Sequence, residues 1–315
     1  MTQGTKKFAA YVPKSMKKKI GVLIGGISSE RAISLLSSKG MIANLDPEKF
    51  EAIPIEINAK EDVFTKCQGI DFALIGLHGE FGEDGCVQSI LSAMGIPYSG
   101  CGPLASAIAM DKDITKKILR HAGIRTADWL TVKDADSIDY DAIRQIGYPV
   151  FVKPNSGGSS VATALVKNAD GILPAVEEAL KYDSEVMIEA YIKGDEISTP
   201  MIDGEIYPTM AIKPKGEFFD IKAKYEGEVE EFVIELNSPL KEEVEAMLHA
   251  TWRELKLCSY ARIDMLIRDN VPYLLEVNTL PGMTPTSLLP QSWASLGGTY
   301  TELLTKMIEV SLKRF

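Results

Sequence analysis

Residues 260–278, YARIDMLIRDNVPYLLEVN, consist of two apolar runs joined by the segment RDN. Asp, Asn and Arg at this junction predict a β-hairpin turn. Side chains alternate between the two faces of a strand, so Glu276 and Asn278 point to the same face. If Asp264 in the first strand lies opposite them, three oxygen-bearing side chains converge. The segment therefore predicts an antiparallel hairpin with an oxygen-rich face.

Two interpretations of this face stay open. Hard divalent cations such as Mg²⁺ bind carboxylate and amide oxygens, and carboxylates within apolar runs must be paired, ligated or solvated. The alternative is an ordinary solvated surface of the hairpin. Arg262 lies two residues before Asp264 and shares its face. Its guanidinium can hold a phosphate or an oxyanion that forms during a reaction, or it can simply balance charge.

The segment TLPGMTPTSLLP, residues 279–290, follows the hairpin directly. Gly282 exposes a backbone N–H to any molecule bound nearby, because glycine carries no side chain. Ser287 lies near an expected helix start, where free N–H groups favour a carboxylate. A serine at this position is also a common helix cap, so both interpretations stay open.

In the N-terminal third, strand-like runs alternate with helical segments. The runs are KKIGVLIGG at 18–26, FEAIPIEI at 50–57 and DFALIGLHG at 71–79. This alternation predicts a mostly parallel sheet, in which ligands bind beyond the carboxyl ends of the strands. Glu30 and His78 both follow such a run. Histidine can hydrogen-bond a substrate carboxylate, which makes His78 a candidate binding residue.

A glycine- and serine-rich segment, VKPNSGGSSVA at 152–162, follows another strand-like run. Such a loop can hold phosphates through its N–H groups, although its spacing matches neither the P-loop nor GxGxxG. The same letters also fit a plain flexible loop. Lys112, Lys153 and Lys224 can converge on one polyphosphate, although each alone is also typical of a solvated surface.

Composition narrows the function classes. With 34 basic and 44 acidic residues the formal net charge is −10, which argues against a nucleic-acid-binding surface. No apolar run approaches the length of a membrane span. Four cysteines without a CxxC pair indicate a reducing cytoplasm and small buried apolar side chains, with no support for a zinc site or a redox pair.

Several motifs occur together in one order along the chain: GGISSERAISL, LHGEFGEDGCVQ, PYSGCGPLASAIAMDK, VKPNSGGSSV, AKY, ARIDM and LLEVNTLPGMTPTSLLP. On these motifs the chain resembles the D-alanine–D-alanine ligases of the ATP-grasp superfamily, from Met16 to the C-terminus. The resemblance implies an α/β ATP-grasp fold, with an N-terminal parallel-sheet domain and central and C-terminal α+β domains that enclose ATP. The expected limits are a leader or added extension at 1–15, followed by domains at 16–108, 109–198 and 199–315.

The resemblance also implies roles for the substrate-binding residues. Glu30 is expected to hold the amine of the first D-alanine, and His78 its carboxylate. Arg262 and the Gly282 N–H are expected to form the oxyanion hole, while Ser287 and the Leu288 N–H take the second carboxylate. Catalysis is further expected to use a hydrogen-bonded set of Glu30, Ser159 and Tyr225.

For ATP and metal, the resemblance implies two further sets of residues. The expected ATP contacts are Lys112, Lys153, Ser159, Glu189, Tyr191, Ile192, Glu196, Phe218, Lys224 and Leu275. Two Mg²⁺ ions, for which Mn²⁺ can substitute, are expected on Asp264, Glu276 and Asn278. The resemblance further implies a homodimer, and it leaves activation by a monovalent cation open.

The chain departs from the usual family pattern at several positions. Ala162 stands where the family usually has glycine, Ala190 where many members have lysine, and Ile221 where an aromatic residue is common. Tyr225 is present, which favours an amine as the attacking group. The leading hypothesis is therefore ATP-dependent formation of D-alanyl-D-alanine for peptidoglycan precursors. The alternatives are the same chemistry with D-serine or another D-amino acid as second substrate, and a regulatory ATP-binding module without turnover.

Overall fold

The computed structural model describes residues 17–156, 158, 161–214 and 229–315. Within these residues the first sheet is parallel and has the strand order β2-β1-β3. Its strands are β1 (Lys18–Gly25), β2 (Phe50–Ile57) and β3 (Phe72–Ile75). The parallel sheet expected from the alternating strands and helices is confirmed. The helices of this part are α1 (Arg31–Asn44), α2 (Asp62–Lys66) and α3 (Cys86–Ala93).

The second sheet is antiparallel, with four strands in the order β4-β7-β5-β6. These are β4 (Trp129–Val132), β5 (Val150–Pro154), β6 (Ala164–Val166) and β7 (Val186–Ala190). The helices around it are α4 (Pro103–Met110), α5 (Lys112–His121), α6 (Tyr140–Ile146) and α7 (Ile172–Ala179). Helix α5 begins directly after Asp111, whose carboxylate caps it by accepting a hydrogen bond from the Ile114 N–H.

The third sheet has six strands in the described residues. Five follow the order β11-β10-β8-β12-β13, and β9 pairs with β8. They are β8 (Asp195–Ile202), β9 (Glu205–Ile206), β10 (Met210–Pro214), β11 (Val229–Val233), β12 (Tyr260–Arg268) and β13 (Val271–Asn278). The remaining helices are α8 (Leu240–Glu254), α9 (Leu288–Ala294) and α10 (Tyr300–Leu312).

The hairpin predicted at 260–278 is confirmed, since β12 and β13 pair antiparallel. A bulge lies between Asp264 and Met265 and interrupts the regular register. The sequence analysis did not identify β8, although this strand is central to the third sheet. A unit boundary between residues 198 and 199 would cut through it. The stated domain limits stay predictions.

The core of the first sheet is completed from the other end of the chain. Apolar side chains of β1 and β3 are buried in one cluster with Leu303, Leu304, Met307 and Ile308 of α10. The N-terminal sheet therefore packs on a helix that is among the last residues of the sequence. No helix in the described ranges is both long and apolar enough to cross a membrane.

Candidate functional site

One cavity of about 1020 Å³ lies where the three sheets meet. All the sequence-predicted site residues that the structure describes line it. They are Glu30, His78, Lys112, Lys153, Glu189, Tyr191, Ile192, Glu196, Arg262, Asp264, Leu275, Glu276, Asn278, Gly282, Ser287 and Leu288. Ser159, Phe218, Lys224 and Tyr225 lie outside the described residues, as do Ile221 and the leader at 1–15. The roles of all these residues stay predictions.

The hairpin brings its polar side chains to one face, with a bulge next to Asp264 that sets the pairing. Asp264 lies directly opposite Glu276 in the β12–β13 pairing, and Arg262 lies opposite Asn278. Asn278 Nδ2 donates to Asp264 Oδ2 at 3.0 Å, which brings the three predicted oxygen-bearing side chains together. Asp264 is buried at 2% exposure and faces the cavity, so the solvated-surface interpretation of this face is wrong for it.

Arg262 forms a bidentate contact with Asp264. Its Nη2 lies 2.7 Å from Asp264 Oδ2, and its Nε lies 3.0 Å from Oδ1. Burial favours the neutral form of the guanidinium, but Asp264, Glu276 and Glu196 outweigh burial and raise the pKa of Arg262. Arg262 therefore stays charged at the cavity wall. It balances the charge of Asp264 and is also positioned to meet a developing negative charge.

The donor set of the hairpin fits a hard cation in its chemistry. Two carboxylates and one amide oxygen are ligands that Mg²⁺ prefers. Asp264 already accepts hydrogen bonds from Ser198, Arg262 and Asn278, so a cation there would replace at least one of these donors. Rotation of the Asn278 amide by half a turn would present its oxygen in place of Nδ2. In the described residues, no group of three or more His, Cys, Asp or Glu side chains is arranged to hold a metal.

Two lysines hold Glu189 on the opposite side of the cavity. Lys153 Nζ lies 2.6 Å from Glu189 Oε2, and Lys116 Nζ donates to Oε1. Burial would raise the pKa of Glu189, but the two lysines outweigh it and lower this pKa to about 2. Glu189 is therefore a fully ionised acceptor. It forms one surface with Tyr191, Ile192 and the Lys153 ammonium in the region where ATP is predicted.

Lys116 was not among the predicted site residues, and it supports the cavity wall through its contact with Glu189. Its side chain is 2% exposed, its Nζ donates to Thr126 Oγ1 at 2.6 Å, and it lies 5.1 Å from the centre of the Trp129 ring. A signal was available, because Lys116 follows Lys112 by four residues on α5 and so shares its face. Lys112 itself lines the cavity, and burial lowers its pKa.

Glu30 lies at the N-terminus of α1, close to the glycine-rich loop. A Cβ on Gly158 would be 2.6 Å from Glu30 Oε1, so this loop and the N-terminal sheet approach each other closely. Ala162, in the same loop, has φ +52°, a conformation that favours glycine. This explains in physical terms why glycine suits this position in the family pattern.

His78 is 5% exposed and has partners on both ring nitrogens. Nδ1 lies 3.1 Å from Glu83 Oε1, and Nε2 lies 3.3 Å from Ser37 Oγ. A carboxylate only accepts hydrogen bonds, so in the neutral ring Nδ1 carries the proton and Nε2 accepts from Ser37. A direct hydrogen bond from His78 Nε2 to a substrate carboxylate would therefore require Ser37 to release Nε2 and a proton to be placed on Nε2, because the carboxylate only accepts.

Ser287 precedes α9 but does not cap it with its side chain. Its Oγ accepts from the Thr284 N–H at 3.1 Å and lies 2.8 Å from Thr284 Oγ1. Ser287 therefore occupies the N-cap position of α9, and its carbonyl accepts from the Gln291 N–H, but its side chain makes no capping hydrogen bond. A Cβ on Gly282 would lie 2.9 Å from Ser287 Oγ, so the two predicted substrate contacts lie side by side.

The cysteines correct two expectations. Cys67 and Cys101 are buried, but Cys86 is exposed and Cys258 is partly exposed, so not all four act as buried apolar residues. Cys101 and Cys258 also lie in contact, with 3.1 Å between Cys101 Sγ and the Cys258 carbonyl oxygen. Sequence spacing could not reveal this pair, because the two residues are 157 positions apart in the chain.

Family models match two ranges of the chain, and known proteins match most of its length. The model for the D-ala D-ala ligase C-terminus matches residues 118–309, and that for the N-terminus matches residues 58–101. A D-alanine–D-alanine ligase of Clostridium perfringens (strain SM101 / Type A) is 60% identical over 94% of this chain and 98% of its own length.

Solved structures agree with this relation. The D-alanine–D-alanine ligase from Bacillus anthracis, complexed with ATP, is 46% identical with a TM-score of 0.87, covering 94% of this chain and 98% of the other. The VanG D-Ala:D-Ser ligase from Enterococcus faecalis is 26% identical with a TM-score of 0.79, covering 94% and 100%. These TM-scores show that the overall fold described above is shared with both structures. With these matches across its length, the chain belongs to the D-alanine–D-alanine ligase family and has the ATP-grasp fold.

Proposed function

We propose that this protein uses ATP to join two D-alanine molecules into D-alanyl-D-alanine, releasing ADP and phosphate. The observation that carries the proposal is that one cavity is lined by the Glu30 carboxylate, by two lysines, and by Arg262 together with Gly282. The 60% identity to a D-alanine–D-alanine ligase supports the same substrates. The dipeptide would serve peptidoglycan precursor synthesis.

The first step activates a carboxylate that is otherwise a poor electrophile. Glu30 binds the ammonium of the first D-alanine, while His78, released by Ser37, is placed near its carboxylate. A carboxylate oxygen attacks the γ-phosphorus of ATP, the bond to ADP breaks, and an acyl phosphate forms. Lys112 and Lys153 neutralise charge on the phosphates. For Lys153 this requires moving from Glu189, whose charge Lys116 then still compensates.

The second step forms the peptide bond. The free amine of a second D-alanine, held by its carboxylate near Ser287 and Leu288, attacks the acyl carbon. The resulting oxyanion is stabilised by the Arg262 guanidinium and the Gly282 N–H, and phosphate leaves as the intermediate collapses. Water would hydrolyse the acyl phosphate, so closure of the cavity before the reaction is part of the proposal.

Asp264, Glu276 and Asn278 are the residues that would hold Mg²⁺. Bound there, the metal would supply positive charge that stabilises the transferring phosphoryl group. A cytoplasmic location and a homodimer complete the proposal, and the cytoplasm would provide both ATP and the reducing conditions that four unpaired cysteines suit.

The test is ADP release with Mg-ATP across a panel of D- and L-amino acids and D-lactate, with mass analysis of the products. We expect D-alanyl-D-alanine as main product and ADP as the only new nucleotide. Release of AMP would exclude the acyl phosphate route. ATP binding without any stimulation of ADP release by a D-amino acid would instead favour the regulatory module.

A variant makes the assignment sharper. Glu30→Gln should raise KM for the first D-alanine much more than KM for ATP, because the amide does not carry the charge that binds an ammonium. A larger effect on KM for ATP would contradict the placement of Glu30.

The second candidate function uses D-serine as the preferred second substrate, and the match to VanG D-Ala:D-Ser ligase favours it. An assay with a mixture of D-alanine and D-serine separates the two candidates by the mass of the product.

A further inference from the structure

Two cysteines outside the cavity form a pair. Cys101 directly precedes the segment that starts α4, and Cys258 precedes β12. Cys101 Sγ lies 3.1 Å from the Cys258 carbonyl oxygen and 3.4 Å from the Cys258 amide nitrogen. The sulfur of one residue therefore rests against the backbone of the other, and the side chains also interact with each other.

A cation is fixed beside this pair. Arg314 Nη1 lies 3.3 Å from Cys258 Sγ and also donates to the Gly100 carbonyl. The guanidinium stacks 4.8 Å from the centre of the Tyr98 ring, which holds it in place. The interaction with Cys101 and the charge of Arg314 outweigh burial and lower the pKa of Cys258 to about 5. The thiolate, which is the reactive form, is therefore favoured at Cys258.

The two thiols differ in access. Cys258 is partly exposed, whereas Cys101 is 1% exposed and touches Cys258. An oxidant from solvent thus reaches Cys258 first, and its nearest other thiol is Cys101. This is the arrangement of an attacking thiol with a resolving thiol behind it.

We propose that Cys101 and Cys258 are a peroxide-sensitive dithiol that closes to an intramolecular disulfide. The Cys258 thiolate attacks one oxygen of a hydroperoxide, the O–O bond breaks, and a sulfenic acid and hydroxide form. The Cys101 sulfur then attacks the Cys258 sulfur, the S–O bond breaks, and water leaves with the Cys101 proton. Two thiols lose two electrons in total, and the peroxide is reduced to two molecules of water or, for an organic peroxide, to water and an alcohol.

This modification is separate from the proposed ligase activity and does not depend on it. The bond would link the start of α4 to the start of β12, which are 157 residues apart in sequence. A reducing agent would reverse it.

The experiment treats the full chain with hydrogen peroxide and reads the intact mass and the peptide map. The parent is Cys86→Ser, which removes the exposed thiol and with it cross-linking between molecules. We expect a loss of about 2 Da, a cross-linked pair of Cys101 and Cys258 peptides, and full reversal by dithiothreitol. Cys67 is the internal control, since it is buried and burial raises its pKa to about 11, so it should stay reduced.

Two further variants keep the test decisive. In Cys101→Ala the reaction should stop at a Cys258 sulfenic acid that dimedone traps. In Arg314→Gln, disulfide formation should slow several-fold because the thiolate loses its cation. The proposal is overturned if both thiols of the parent remain fully alkylatable after peroxide, or if Cys258 gains oxygen without forming the cross-link. An unchanged rate in Arg314→Gln would overturn the part given to Arg314.

Discussion

Arg262 faces the cavity and also holds the buried carboxylate of Asp264, so removing it has two effects that need separate measurement. Truncation to alanine would leave a buried charge without its partner and destabilise the fold by about 3–5 kcal/mol. Arg262→Lys keeps the charge but loses the bidentate contact, which lysine cannot form.

We expect Arg262→Lys to lower kcat by about 10²–10³ while the thermal midpoint changes little, because an oxyanion donor is lost from its position. Steady-state kinetics and a thermal melt on the same preparation measure both effects. A near-normal kcat in the folded variant would show that Asp264, rather than the reaction, is what Arg262 serves.

Cys258 and Cys86 provide a pH test within one molecule. The pKa of Cys258 is lowered to about 5, whereas burial and Asp84 raise that of Cys86. The thiolate fraction falls only when pH drops below the pKa, so at about pH 6 Cys258 stays ionised and Cys86 does not.

Pulsed alkylation with iodoacetamide at a series of pH values should therefore label Cys258 well below the pH at which Cys86 becomes labelled. Cys101→Ala and Arg314→Gln should each move the Cys258 midpoint upward, because each removes a partner of the thiolate. Identical profiles for the two cysteines would be evidence against the environment described for Cys258.

At the scale of one helix, the residue that caps α5 also holds in place two lysines at or near the cavity. Its N-cap Asp111 accepts from the Ile114 N–H at 3.0 Å and from Asn155 Nδ2 at 2.8 Å, and the helix carries Lys112 and Lys116. Asp111→Ala should lower the free energy of unfolding by about 1 kcal/mol. It should also raise KM for ATP, because the start of the helix positions both lysines.

Asp139→Ala is the matched control. Asp139 caps α6 with hydrogen bonds to the Asp141 and Ala142 N–H groups, and α6 contributes no residue to the cavity wall. This variant should lose similar stability and keep its KM for ATP. If both variants raised KM equally, general loosening rather than α5 would explain the effect.

Individual strands show which features of the fold could be predicted from the sequence. The period of two was sufficient to predict that Glu276 and Asn278 share a face. Asp264 lies opposite Glu276 because the bulge between Asp264 and Met265 shifts the register by one residue, and the register counted from the turn would place Leu275 there. Strand β8 was not predicted, because its residues are mixed in polarity although most of them are buried in the middle of a sheet. Its burial arises from pairing with β10 and β12, which local sequence does not specify.

For the whole molecule, the family resemblance identified residues that one cavity then brought together. Their convergence was predictable from the motifs, and the spacing from Lys112 indicates the helix face of Lys116. The contact of Lys116 with Glu189 and the Cys101–Cys258 contact were not predictable. Both depend on long-range packing: Glu189 meets Lys116 from another element, and Cys258 meets Cys101 from across the fold. Polar pairs of this kind leave no periodic pattern in sequence.

The last helix, α10, supplies part of the core of the first sheet. Ribosomes make the N-terminal strands first, yet the core around them lacks the apolar side chains of α10 until residues 300–312 have been made. Many multidomain chains fold their N-terminal domain during synthesis, and this architecture delays completion of the first core until α10 is available. A nascent chain released before that point would leave part of this core open to chaperones and proteases.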